Sequence, residues 1–86
     1  MPSVEEVKLH VAASVDQTGR AVATLRGVAE QLDEALARLR LTAAGSAHPT
    51  IVDAIARLEQ ARSRLDEAQA LALSAIDSAD AYRALV

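Results

Sequence analysis

An all-α fold, built as an antiparallel two-helix hairpin of coiled-coil type, is predicted by three observations. Apolar residues recur at helical spacing along two long stretches. A single punctuated segment, Thr-Ala-Ala-Gly-Ser-Ala-His-Pro from Thr42 to Pro49, separates those stretches and carries the helix-ending and helix-starting residue types. The third observation is composition: 86 residues with no Cys, Trp or Phe, one Tyr (Tyr82) and 20 Ala allow one small domain with a thin-walled, unstapled core. The expected elements are a helix over 4–42, a turn over 43–48 and a helix over 49–85.

The first arm opens with Ser3 and, three residues on, Glu6, the pattern of a capping box, and Glu5 and Glu6 place negative charge at the positive end of the helix dipole. Val4, Val11, Thr18, Leu25, Leu32 and Leu39 then recur every seven residues, and Val7, Ser14, Ala21, Val28, Ala35 and Thr42 follow three places behind them. The spacing predicts that these two rows form the seam. A third row, Lys8, Val15, Val22, Ala29, Leu36 and Ala43, is also mostly apolar and makes the stripe wider than one neighbouring helix covers. Gly19 and Gly27 weaken the arm, each at a cost of roughly 1 kcal/mol relative to Ala, and stand either as plain surface positions or as places where another helix comes close.

In the turn, Gly45 is suited to the left-handed conformation that closes a helix, and Pro49 to the first turn of the next, with Ser46 or His48 as N-cap. Along the second arm the expected seam rows are Ile51, Leu58, Leu65, Ala72, Ala79 and Val86, with Ala54, Ala61, Ala68, Ala75 and Tyr82 three places on. The alanine row predicts a close approach of the two arms. Asp53, Glu59, Gln60, Ser63, Asp66 and Glu67 form a solvated face opposite the seam, and same-face pairs such as Glu34 with Arg38 and Asp53 with Arg57 support each arm.

A lone hairpin with this much Ala leaves apolar side chains without cover, and the surplus concentrates in the half away from the turn. The predicted partner interface is Val15, Val22, Leu71, Leu73 and Ile76. Leu71 and Leu73 cannot both face the first arm, because residues two apart on a helix lie about 200° from one another. The simplest cover is a second copy, giving a two-fold homodimer that forms a four-helix bundle; a small helical protein of different sequence is the alternative partner.

Chemistry is scarce. His10 and His48 sit at opposite ends of a hairpin, and no His-Glu-x-x-His, di-iron, phosphate-loop or Gly-x-Ser-x-Gly pattern occurs. The expectation is a protein that is not an enzyme and holds no cofactor or metal. A net charge of -3 with interspersed signs offers no basic stripe for nucleic acid. No apolar run approaches the length of a membrane span, and Met-Pro-Ser-Val-Glu-Glu lacks the start of a secretory signal, so the expected location is the cytoplasm, with leaderless export as the other route.

In outline the chain resembles short all-helical hairpin proteins of actinobacteria and, more distantly, the small secreted hairpins of the WXG type. Where that family carries Trp-x-Gly in its turn, this chain has Ala44, Gly45 and Ser46. Where the family's partners carry Tyr-x-x-x-Asp/Glu near the C-terminus, Tyr82 is followed four places on by Val86. The resemblance therefore spans the whole chain as architecture and rests on no shared motif; it implies a hairpin that works by pairing with another helical protein.

Overall fold

The computed structural model describes residues 1–46 and 48–86. Ala47, inside the expected turn, lies outside the described residues. Two helices, α1 (Val4–Gly45) and α2 (Pro49–Leu85), pack antiparallel into a rod of 63 × 19 × 15 Å.

Local chemistry sets each end of the helices. Ser3 adopts an extended conformation and its Oγ accepts the Glu6 N–H at 3.1 Å, while its carbonyl accepts the Val7 N–H at 3.0 Å, so α1 starts capped and with Glu5 and Glu6 in its first turn. At the other end α1 continues through Gly45, three residues beyond the expected boundary at Thr42. No described glycine has a positive φ, so Gly45 does not close the helix in the left-handed conformation. Instead Ser46 turns to extended backbone and its N–H donates to the Ala43 carbonyl at 3.2 Å; this tightened last turn satisfies an end carbonyl without a left-handed residue.

His48 is the N-cap of α2. Its Nδ1 accepts the Thr50 N–H at 3.1 Å and its carbonyl accepts from Ile51 and Val52, with Pro49 in the first turn, where a missing N–H costs nothing.

The seam uses one expected row from each arm and replaces the other. In α1 the row Val11, Thr18, Leu25, Leu32 and Leu39 is half-buried, and its companion is the row four residues on: Val15 is half-buried, and Val22, Ala29 and Leu36 are the fully buried residues among those described. The expected companion three residues on is largely outside, with Ser14, Ala21, Val28 and Thr42 exposed. In α2 the row Ile51, Leu58, Leu65, Ala72 and Ala79 is joined by Ile55, Arg62, Gln69, Ile76 and Arg83, whereas Ala68, Ala75 and Tyr82 are exposed. The alanine row thus borders the helix contact next to the turn, where Ala54 and Ala61 are half-buried, and leaves it towards the open end. Covering Ile55 and Ile76 removes far more apolar area from water than covering alanines, at roughly 25 cal/mol per Å², and the long stems of Arg62 and Arg83 cover apolar surface while their heads reach the rim.

Candidate interaction surface

Lettering the seam fixes what each flank displays. Position a holds Lys8, Val15, Val22, Ala29, Leu36 and Ala43 in α1 and Ile55, Arg62, Gln69, Ile76 and Arg83 in α2; position d follows three residues later in each. In an antiparallel pair the g rows of the two helices run beside each other along one flank and the e rows along the other, with c outside g and b outside e.

The e flank is charged. Arg40 reaches Glu59 across the helices at 3.7 Å, and Arg62 Nε donates to Asp33 Oδ1 at 2.9 Å while its Nη1 donates to Asp66. Asp33 and Asp66 are thereby held together by the guanidinium between them. The hydrogen bond from Asp33 first, and that from Asp66 second, push the Arg62 pKa further up from its ordinary value. Intrahelical pairs Asp16–Arg20 and Asp53–Arg57 lie on the outer surfaces, where solvent screens them and they add little to stability. Near the open end Arg83 bonds Asp80, but its Nε is buried with no partner, which makes this layer a weak one.

The g flank is different in kind. Its rows are Val7, Ser14, Ala21, Val28, Ala35 and Thr42 of α1 beside Ala54, Ala61, Ala68, Ala75 and Tyr82 of α2. Ser14, Val15 and Thr18 face Ala75, Ile76 and Ala79 across a shallow groove of about 190 Å³ in the half away from the turn. Another shallow hollow, about 340 Å³, lies along α1 between Gln31, Glu34, Ala35, Arg38 and Leu39. With the register known, the 12 Asp and Glu side chains all fall in rows b, e and f. Rows c and g of both helices contain none, and their charged groups are Arg38, Arg57 and Arg64, with His10 beside them. The hairpin has one acid-free flank and one acidic flank.

Compared with protein families, with characterised proteins and with solved structures, the chain matches none. Its own surface therefore carries the functional reading.

The five residues expected at a partner interface separate into three groups. Val22 is 3 % exposed and, with the half-buried Val15 and Ile76, belongs to the seam inside the hairpin, so Val22 has no surface left for a neighbour. Leu71 is 72 % exposed and lies in row c, on the acid-free flank. Leu73, 43 % exposed, lies in row e among Glu59, Asp66 and Asp80. One flat partner cannot cover both leucines. Val28, Ala61 and Ala68, which the spacing assigned to the seam, lie exposed or half-buried on the same flank as Leu71; the signal that marks this flank is the absence of carboxylates from its rows. Among the described residues no three His, Asp or Glu side chains gather as metal ligands, and no described helix is long and apolar enough to cross a membrane.

Proposed function

We propose that this chain is a non-enzymatic interaction or scaffold hairpin that works through self-association, in its simplest form as a homodimer forming a four-helix bundle. The observation that carries the reading is surface area. The hairpin exposes 6280 Å², whereas a compact chain of 9.0 kDa exposes about 4,900 Å². The difference, about 1,400 Å², exceeds the roughly 800 Å² that each partner contributes to a stable dimer. Full burial is confined to Val22, Ala29 and Leu36 among the described residues, while Leu9, Leu41, Val52, Leu71 and Leu85 are each more than half exposed. A rod of this shape leaves its apolar side chains uncovered unless another helical surface meets it.

Static light scattering combined with thermal melting tests the reading. The expected result is a particle of at least twice 9.0 kDa at micromolar concentration, with a melting temperature that rises with protein concentration. A strict monomer that still melts cooperatively refutes it. A chain that is unfolded alone and folds only with a different helical protein replaces self-association by hetero-pairing.

A further inference from the structure

Resting on the self-association just proposed, we infer that the acid-free flank is the surface that meets the second copy, and that the two copies lie with their turns at opposite ends, α1 against α1 and α2 against α2. Two independent features lead to the flank. Every one of the 12 carboxylates avoids it, although each helix is otherwise dotted with them. Two of its hydroxyls are also satisfied from within: Thr24 Oγ1 donates to the Arg20 carbonyl at 3.1 Å and Thr42 Oγ1 to the Arg38 carbonyl at 3.2 Å, so these two side chains lose little when water leaves. The e flank offers the reverse, with acids that would have to be dehydrated or paired.

Charge then selects the orientation. Arg38, Arg57 and Arg64 all lie in the half next to the turn. If the two turns were at the same end, two-fold symmetry would set α1 over the partner's α2 at equal distance from the turn, and Arg38 would meet Arg57 twice. With the turns at opposite ends, symmetry sets each helix over its own equivalent, reversed about mid-length. Each guanidinium then overlies the open half of the other copy: with the axis beside Ala68, Arg64 comes opposite Leu71, Arg57 opposite Ser78, and Arg38 opposite the level of Ser14 and Val15. Ala68, close to the midpoint of α2 (Pro49–Leu85), comes opposite its own equivalent. Small side chains at this centre let the helices approach to the 8–10 Å typical of packed pairs.

The native chain has no cysteine, so single-cysteine variants report contacts cleanly. Ala68→Cys is expected to oxidise to a covalent dimer at least tenfold faster than Ala70→Cys, which sits at the same level in row b. The sign of a charge at Leu71 gives a second readout: Leu71→Arg, facing Arg64 twice, weakens association tenfold or more; Leu71→Glu, facing the same arginine, weakens it far less; Leu73→Glu leaves it within about twofold. Circular dichroism on each variant shows that the hairpin still forms. Faster cross-linking of Ala70→Cys places the interface on the acidic side and overturns the proposal. Rapid cross-linking between Val28→Cys and Ala68→Cys chains, with Ala68→Cys alone inert, establishes the same-end arrangement and overturns the orientation. A native chain that scatters as a monomer removes self-association itself, an outcome distinct from a dimer whose cysteines report another face.

Discussion

Replacing Gly19 and Gly27 by alanine is expected to stabilise the protein, and the size of the gain follows from what surrounds them. A Cβ built on either glycine meets nothing within 4 Å, and both lie inside α1 with ordinary helical backbone. The substitution therefore adds no clash and no lost contact, only the helix preference of alanine over glycine, about 0.8–1.0 kcal/mol per site. Eight residues of helix separate the two by about 12 Å, so the effects add to roughly 2 kcal/mol. For a chain of this size each kcal/mol raises the melting temperature by about 4–8 °C, and the double variant should melt about 10 °C higher. Urea titration and calorimetry at matched protein concentration measure it, and an unchanged urea slope shows that the compactness of the states is unaltered. Gly19 falls in row e and Gly27 in row f, so association through the acid-free flank should be untouched. A loss of stability at either site would mean that another helix packs over that glycine in solution, and the assignment of these rows to solvent would fail.

Leu36→Ala removes a side chain that is 3 % exposed at the best-packed part of the seam, and a loss of about 2–4 kcal/mol in urea denaturation is expected. Ser3→Ala deletes the Oγ that accepts the Glu6 N–H, and should cost about 1 kcal/mol with fraying confined to the first turn, visible as faster exchange of the amides of Glu6 and Val7. Glu59→Lys breaks a loose, half-exposed pair with Arg40 and should change stability by about 0.5 kcal/mol or less; a larger effect in a melt would show that the e flank is covered. Arg62 has a raised folded-state pKa, so its contribution is complete below its unfolded value and declines only as pH climbs through the folded one, in strong alkali. The difference in melting temperature between the native chain and Arg62→Gln should accordingly stay constant between about pH 7 and 9, outside the range in which arginine titrates.

The hairpin and most of its caps were legible from residue types, because Ser3, Pro49 and the seven-residue recurrence each depend on local chemistry. The second seam row was harder. In α1 the rows three and four residues behind Leu25 and Leu32 are both mostly apolar, and alanine, which fits seam and surface alike, gives little basis for choosing. In α2 the half-buried row contains Arg62, Gln69 and Arg83 and so looks like surface, while the row of Ala54, Ala61, Ala68 and Ala75, exposed from Ala68 onward, looks like core. The conflict is resolved only by considering both arms together: burying Ile55 and Ile76 against the Val15–Leu36 row removes more apolar surface than burying alanines against Ser14 and Thr42. The end of α1 turned on a single hydrogen bond from Ser46, a choice between two closures that residue types permit equally.

The uneven seam has a consequence for how the rod opens. Next to the turn it is filled by Leu36, Leu39, Ile51, Ile55 and Leu58, while towards the open end Val11, Val15 and Ile76 alternate with the smaller or polar Thr18, Ala72, Ala79 and Arg83. The terminal halves of both helices are therefore expected to open at a smaller free energy than the turn half, which faster exchange of their amides would show. When two such rods lie with turns apart, the firm end of each is laid along the loose end of the other. Opening one terminus then strips contacts from both chains, and two fraying hairpins become one cooperative unit whose exchange rates level out along its length.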